Sequence, residues 1–215
     1  MTNILHTSDL HGNYKKALAA LEAGGFDLWI DSGDFFPNKT RGDWAIEPAF
    51  QTKWMAWKDL AARIVKALDG KTLISVGGNH DYVSLASLVK AAGGNAHDLT
   101  EGPVTINGLT FAGFSEVPWM AGEWNGETHA FNEIVDATFQ AQPDVLVTHA
   151  PPAGVLDTCP DHGGGIAALM TALCYQAHEV KAHFFGHIHE FGGQVVEEMG
   201  IQFANGAGKA IVHTI

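Results

Sequence analysis

Short apolar runs that end in polar loops recur along this chain, and they constrain its fold more than any other feature. Residues 73–76 are typical of a buried strand and lead directly into Gly-Gly-Asn-His-Asp at residues 77–81. Residues 3–6 and 28–30 are similar runs, with a helical pattern at 14–23 between them. A strand, a polar loop, a helix and a second strand in succession predict a parallel sheet with crossover helices. Sites in such folds form at the carboxyl ends of the strands.

The remaining patterns extend this architecture. Further helices are predicted at 50–68, 84–92, 131–140 and 166–176, and further strands at 145–147 and 182–185. Residues 104–106 and 109–114 flank Asn107-Gly108, a sequence typical of a tight hairpin turn. The tail, 194–212, is predicted to form strands that turn at Gly200 and near Gly206. We expect one domain over residues 1–215, with two sheets packed face to face and helices outside them, a mixed α/β (α+β) fold.

The net charge of the chain limits the kinds of partner that it can bind. The chain has 24 acidic and 12 basic residues, for a formal net charge of -12. This balance disfavours nucleic acid as a partner, because broad nucleic-acid binding needs a basic face. It still permits an anionic substrate, since bound metal ions reverse the sign of the charge locally. No membrane-length apolar run or signal-peptide pattern is visible, so we expect a cytoplasmic protein with no membrane partner.

Five of the predicted strands end in loops that carry metal-ligand side chains. Each loop alone is typical of an ordinary polar turn, but adjacent parallel strands end at one edge of a sheet and bring their loops together. Carboxylates, an amide oxygen and several imidazoles suit Mn, Fe, Zn, Co or Ni better than calcium. The set exceeds the needs of one tetrahedral ion, so we expect two divalent ions, with Asp34 as the natural bridge. The residues are Asp9, His11, Asp34, Asn79, His80, Asp81, His149, His187 and His189.

In this order, the motifs Asp-x-His, Gly-Asp, Gly-Asn-His-Asp, His and Gly-His-x-His resemble those of the calcineurin-like metallophosphoesterases. The resemblance covers nearly the whole chain and implies a four-layer αββα double β-sandwich. It also implies that His80 is the catalytic histidine outside the metal shell, oriented by Asp81. One metal would be held by Asp9, His11, Asp34 and His189, and the second by Asp34, Asn79, His149 and His187.

Residues 118–119, 130–132, 148–152 and 186–190 are similar to a small single-domain branch of that family, which includes bacterial and phage-type phosphoesterases and mammalian brain metallophosphoesterases. This likeness implies phosphodiesterase activity on a small or nucleotide substrate, cyclic nucleotides included. The reaction would be attack by a metal-bridging hydroxide, with His80 as general acid. A phosphomonoesterase, a nuclease and a non-catalytic scaffold are the alternatives. The acidic charge disfavours the nuclease, and the intact ligand set disfavours the scaffold.

Substrate contacts are predicted from position alone. Asn13 closely follows the first motif, where it would face the phosphate. Arg41 and Trp44 lie in the loop 38–48, and Trp119 lies in the loop 115–128 together with Trp124. Indole rings near the metals would stack on a base. The sequence does not decide whether either loop covers the site, and it does not determine the oligomeric state.

Overall fold

The computed structural model describes residues 1–40, 42–57, 59–120, 124–159, 162–176 and 179–215. The first half of the chain builds a sheet of strand order β15-β1-β2-β3-β4, in which β1 to β4 are parallel and β15 is antiparallel to β1. Its elements are β1 (Asn3–Thr7), α1 (Tyr14–Ala23), β2 (Leu28–Asp31), α2 (Glu47–Trp57), α3 (Leu60–Leu68), β3 (Thr72–Ser75), α4 (Leu85–Ala91) and β4 (Asn95–Asp98).

The second half builds a sheet of order β13-β14-β12-β9-β6-β5, parallel from β14 to β6 with an antiparallel strand at each edge. Two short strand pairs, β7 with β8 and β10 with β11, lie outside it. The elements are β5 (Val104–Ile106), β6 (Leu109–Phe114), β7 (Val117–Pro118), β8 (Glu127–Thr128), α5 (Phe131–Gln140), β9 (Val145–Thr148), β10 (Thr158–Cys159), β11 (His162–Gly163), α6 (Ala167–Gln176), β12 (Ala182–Phe185), β13 (Val195–Glu198), β14 (Ile201–Asn205) and β15 (Ala210–Thr214).

Alternation along the strands divides the core into three apolar layers. Ile4 of β1 and Phe184 of β12 face each other's sheet, in a cluster drawn from both sheets. Their neighbours Leu5 and Phe185 point the opposite way, towards the helices that cover the outer faces. Because successive side chains of a strand point to opposite faces, one apolar run contributes side chains to two layers of the core. The four-layer αββα arrangement confirms the predicted fold class.

Two elements differ from the sequence prediction. The helix predicted over 50–68 is instead two helices, α2 and α3, and Asp59 before α3 has a left-handed backbone with φ 48°. The strand β4, which pairs with β3, was not predicted because its sequence, Asn-Ala-His-Asp, has little apolar character. In the part of the chain that the structure describes, no helix has both the length and the apolar content needed to cross a bilayer.

Candidate metal centre

The predicted ligands lie at one end of the sandwich, where the two sheets meet. Asp9, Asp34 and Asn79 follow the ends of β1, β2 and β3, while His149 and His187 follow β9 and β12. Hydrogen bonds tie the two sets of loops together. The His149 ring contacts the carbonyl of Ser32 at 2.8 Å, and the backbone N–H of His187 donates to Asp9 at 2.9 Å. The convergence expected from parallel strand ends is therefore present.

A first cluster contains all four residues predicted for one metal. His189 Nε2 lies 3.0 Å from Asp9 Oδ1 and 3.4 Å from His11 Nε2. His11 Nε2 lies 3.8 Å from Asp34 Oδ2. Ligand atoms of Asp9, His11 and His189 all lie within 4.8 Å of one another. Such spacing would let a single ion contact them together.

A second cluster meets the first at the same oxygen of the Asp34 carboxylate, Oδ2. His149 Nε2 lies 3.3 Å from Asp34 Oδ2, and the centroid of the His187 ring lies 5.0 Å from that of His149. Asn79 is buried beside Asp34, because the N–H of the next residue, His80, donates to Asp34 Oδ1 at 2.7 Å. Asp34 thus lies between the two clusters, as a bridging ligand would.

Two buried atoms of the second cluster lack the partners that such atoms normally have. His149 Nδ1 must donate to the carbonyl of Ser32, which leaves Nε2 as the nitrogen that faces Asp34. Among the described residues, neither His149 Nε2 nor Asn79 Oδ1 has a hydrogen-bond partner. Buried polar atoms without partners are costly and rare. A divalent ion would satisfy both atoms, so the residues present fit a metal site.

The charges of the cluster are mutually dependent. Burial opposes ionisation of Asp34, but His149, His80 and His11 hold its pKa below the usual value. Burial also opposes a charge on His149, yet Asp34 and Asp9 raise its pKa to about 10. Without metal, a proton on His149 therefore balances part of the carboxylate charge. Metal binding would displace that proton, as expected for histidine ligands.

Burial keeps the other imidazole of the second cluster neutral. It lowers the pKa of His187 to about 4, with the charge on His149 acting in the same direction. A neutral imidazole has a lone pair to give to a metal. His187 is thus in the ligating protonation state at neutral pH.

His80 is held by a residue that the sequence did not single out. Its Nδ1 lies 2.6 Å from Asn38 Oδ1, and Asn38 Nδ2 donates to the His80 carbonyl at 3.0 Å. An amide oxygen accepts only, so Nδ1 carries a proton and Nε2 is the free nitrogen. Nε2 lies 3.9 Å from Asp34 Oδ2, on the metal side of the ring. Burial lowers the pKa of His80, and Asp34 partly offsets that effect.

The Asp81 carboxylate bonds backbone groups near Asp34. Its carboxylate accepts the backbone N–H groups of Asp34, Phe35, Phe36 and Gly78. Burial and the charge on Asp34 raise the pKa of Asp81 to about 7. Among the described residues, the hydrogen bond to the His80 ring comes from Asn38 rather than from Asp81, and the Asp81 carboxylate instead bonds the loop that presents Asp34.

Close approach and backbone strain both concentrate at this site. A Cβ on Gly186 would lie 2.1 Å from Asp9 Oδ2, and a Cβ on Gly78 would lie 2.2 Å from Asp34 Oδ1. Four predicted ligands, Asp9, His11, Asp34 and His187, have left-handed backbone conformations. Non-glycine residues adopt that region at a cost, although Asp and His do so more readily than most.

The residues predicted to contact substrate differ in their positions relative to the metal site. Asn13 is exposed before α1, and no hydrogen bond joins its side chain to the described part of the metal site. Arg41 lies outside the described residues. Trp44 and Trp119 are 56% and 55% exposed, and both line a cavity of about 660 Å³. Trp124 lines the same cavity, and its ring centroid lies 4.2 Å from that of His80.

Two other polar residues that the sequence did not single out, Gln51 and Asn125, hold the turn around His80. Gln51 Nε2 donates to the His80 carbonyl at 2.7 Å, and the backbone N–H of Tyr82 donates to Gln51 Oε1 at 2.8 Å. The N–H of Asn125 donates to the Asn79 carbonyl at 3.1 Å. With Asn38, these residues come from three separate segments, and no local motif marks any of them.

Comparisons with known proteins agree with this architecture. A family model described as calcineurin-like phosphoesterase matches residues 2–191. A UPF0046 protein of Caenorhabditis elegans is 34% identical over 116 residues, which are 53% of this chain and 38% of that protein.

Solved structures with the same fold are distant in sequence. A Staphylococcus aureus protein provisionally described as a 5′-nucleotidase has a TM-score of 0.57 at 14% identity, covering 94% of this chain and 48% of that one. GAP50, the anchor in the inner membrane complex of Plasmodium, has a TM-score of 0.50 at 14% identity, covering 95% of this chain and 71% of that one. The chain therefore spans less than half the length of the worm relative and of the staphylococcal protein, and the structural likeness concerns the fold alone.

Proposed function

This chain belongs to the calcineurin-like phosphoesterase family, and we propose that it hydrolyses small phosphodiesters, nucleotides among them, using two divalent metal ions. The observation that carries the proposal is that two buried ligand atoms beside Asp34, Asn79 Oδ1 and His149 Nε2, lack hydrogen-bond partners among the described residues, although His149 Nε2 forms an ion pair with Asp34 Oδ2 at 3.3 Å. Asp9, His11 and His189 supply a second group of ligand atoms, in which His11 Nε2 lies 3.8 Å from the same carboxylate. When bound, two such ions polarise the phosphoryl group and make a water nucleophilic at neutral pH.

The residues assign the remaining tasks. Asp34, Asn79, His149 and His187 would hold one ion, and Asp9, His11, Asp34 and His189 the other. His80 in its doubly protonated form would donate the Nε2 proton to the leaving oxygen, while Asn38 retains the proton on Nδ1. Asp81 would keep Asp34 in place through its four backbone contacts.

Charge favours a diester over a monoester. Two divalent ions, the two ionised carboxylates of Asp9 and Asp34, and one hydroxide nucleophile would leave a net charge of about +1. A singly charged diester balances that excess better than a doubly charged monoester does. Asp43 and Glu127 line the adjoining cavity, and their charge disfavours a second anionic group there.

A substrate panel tests the proposal. Turnover of bis-p-nitrophenyl phosphate, p-nitrophenyl phosphate and 2′,3′- and 3′,5′-cyclic nucleotides would be measured with Mn²⁺, Fe²⁺, Ni²⁺, Co²⁺ or Zn²⁺. We expect metal-dependent turnover that is faster for diesters than for the monoester. Faster monoester turnover would make the protein a phosphomonoesterase. No turnover with two bound ions would refute hydrolysis of these esters.

The His80→Asn variant tests the role of the histidine. Proton donation to a leaving group typically contributes about 10²- to 10⁴-fold in rate. We expect a loss of that size on cyclic nucleotides, whose alkoxide leaves poorly, and a smaller loss on the p-nitrophenyl diester, whose phenolate needs little protonation. Metal content, measured by mass spectrometry, should stay at two ions. Equal losses on both substrates would contradict proton donation by His80.

A further inference from the structure

Three tryptophans share one cavity beside His80. Trp44, Trp119 and Trp124 line a space of about 660 Å³, together with Asp43 and Glu127. Large exposed aromatic side chains that are grouped, rather than scattered, mark binding surfaces. We refer to this space as the tryptophan cleft.

The walls of the cleft are fixed to the metal-site turn at 79–82. The Trp124 ring packs on His80, with centroids 4.2 Å apart, and the Trp44 ring packs on Tyr82, with centroids 4.9 Å apart. Asn125, the residue after Trp124, bonds to the carbonyls of Asn79 and Asp81. These contacts mean that the indole of Trp124 has a set position relative to the proposed proton donor.

The position of Trp124 indicates which part of a substrate would lie in the cleft. His80 would protonate the leaving oxygen, and the chemical group attached to that oxygen must extend past the His80 ring. Trp124 both contacts the His80 ring and lines the cleft, so the leaving group is the part of the substrate that would extend towards Trp44 and Trp119. Asp43 and Glu127 make the cleft negative, which favours an uncharged ring with amino groups over a second phosphate.

We propose that the tryptophan cleft binds the nucleobase of the leaving group, so that the preferred substrates are nucleoside phosphodiesters. The orientation of the substrate, with its leaving group in the cleft, rests on the proposed phosphodiester hydrolysis. Binding of the base itself does not depend on turnover. Base stacking on aromatic side chains tolerates different bases, since every base has a flat face.

Binding of adenosine tests the cleft without any reaction. Isothermal titration of the Mn²⁺-loaded protein would be compared with Trp119→Leu and with the double variant Trp44→Leu/Trp119→Leu. Stacking on one aromatic ring is worth about 5- to 150-fold in affinity, so each step should weaken binding by a factor in that range. Both side chains are more than half exposed, so their loss leaves the core intact. Trp57→Leu is the matched control, since Trp57 is 73% exposed on α2 and does not line the cleft.

Kinetics with a matched substrate pair tests the same inference in catalysis. The methyl phosphodiester of adenosine at its 5′ oxygen would be compared with the same ester of ribose, which lacks the base. We expect kcat/KM to favour the adenosine ester at least 10-fold in the wild type and in Trp57→Leu. In the double variant the ratio should fall to about 1.

The outcomes separate the two proposals. Unchanged adenosine affinity in the double variant, or an unchanged kcat/KM ratio, would overturn nucleobase binding in the cleft. Turnover of both esters at equal rates, with no measurable adenosine binding, would also overturn it while leaving phosphodiester hydrolysis intact. Adenosine binding that is lost in the double variant, without turnover of either ester, would retain the base site and refute the hydrolysis.

Discussion

The two oxygens of the Asp34 carboxylate have different neighbours. Oδ1 accepts the N–H of His80, while Oδ2 lies 3.3 Å from His149 Nε2 and 3.8 Å from His11 Nε2. If Asp34 bridges two ions, the isosteric Asp34→Asn change removes a charged ligand from both. We predict that metal content after loading with Mn²⁺ and desalting falls from two ions to fewer than one. Mass spectrometry of the protein would measure it.

A matched substitution separates this effect from a general loss of negative charge. Asp136 is exposed on α5, a helix that carries none of the candidate ligands, and Asp136→Asn should keep both ions. Two ions still tightly bound by Asp34→Asn would exclude the bridging role.

Asn38 is the residue through which the orientation of His80 can be tested. Asn38→Ala removes the acceptor for His80 Nδ1, and residues that orient a site histidine typically contribute about 10- to 100-fold. We predict a loss of kcat in that range with both metals retained. Asn38→Asp keeps the acceptor and adds a negative charge, which raises the pKa of His80. Because His80 acts in its protonated form, the alkaline limb of the pH–rate profile should move to higher pH.

The pH profile distinguishes positioning from mere packing. A purely structural role for Asn38 would lower activity in both variants and leave the alkaline limb where it is in the wild type. Recovery of most of the wild-type kcat in Asn38→Asp, together with the displaced limb, is the expected result.

The sequence was sufficient to find ligand types but insufficient to find their supports. Asp9, Asn79 and His189 stand in short motifs, so local spacing reveals them. Asn38 and Asn125 contact the 79–82 turn from distant loops, and such contacts follow from tertiary packing that no local pattern records. The same reason explains why Asp81 was expected to serve His80.

At the scale of elements, the two adjacent glycines after β3, Gly77 and Gly78, differ in how much space a side chain would have. Neither Gly77 nor Gly78 has a left-handed backbone, so close approach is the issue. A Cβ on Gly78 would lie 2.2 Å from Asp34 Oδ1 and 2.7 Å from Asp34 N, whereas a Cβ on Gly77 would have its nearest neighbour at 3.5 Å. The turn therefore needs glycine at one of the two positions.

The pair gives a prediction with its own control. Gly78→Ala must push the Asp34 loop away, so we predict an affinity for Mn²⁺ that is about 10- to 100-fold weaker and a free energy of unfolding that is about 1–3 kcal/mol lower. Gly77→Ala should change the unfolding free energy by less than about 1 kcal/mol. Titration calorimetry and urea unfolding would measure the two quantities. Equal effects of the two substitutions would show that the spacing at Gly78 is unimportant.

Periodicity located most elements but not the break between α2 and α3. Apolar residues recur at helical spacing on both sides of residue 58, so the pattern predicts a continuous helix. The left-handed backbone of Asp59 ends that continuity, and it lets α3 bury Leu60, Ile64 and Leu68 against the sheet. Packing on the sheet, rather than local propensity, determines this boundary.

For the molecule as a whole, the sandwich buries histidines that must stay neutral. His183 of β12 is fully buried, and burial lowers its pKa to about 3. Its Nε2 lies 2.8 Å from Thr148 Oγ1, whose own hydrogen goes to the Ala150 carbonyl, so Nε2 must be the donor. Nδ1 is left without a partner among the described residues. A proton added there would have no acceptor in this part of the core.

This burial predicts a loss of stability in acid. The unfolded chain takes up the proton near the ordinary histidine pKa of about 6.5, and the folded protein does so only near 3. The contribution is therefore complete above pH 6.5 and is lost as the pH falls below it. For one such group, the free energy of unfolding should fall by about 2 kcal/mol between pH 7.5 and pH 5.0.

His183→Gln isolates that contribution, because the glutamine amide can still donate to Thr148 but does not titrate. Urea unfolding at both pH values, with a chelator to remove metal binding, would compare the variant with the wild type. The other buried histidines and the site carboxylates lower stability in both proteins, so the difference between the two pH dependences belongs to position 183. We predict that the variant, although less stable at pH 7.5, loses about 2 kcal/mol less on acidification. An identical loss in both proteins would mean that His183 takes up its proton as readily in the folded protein as in the unfolded chain, which would contradict the prediction.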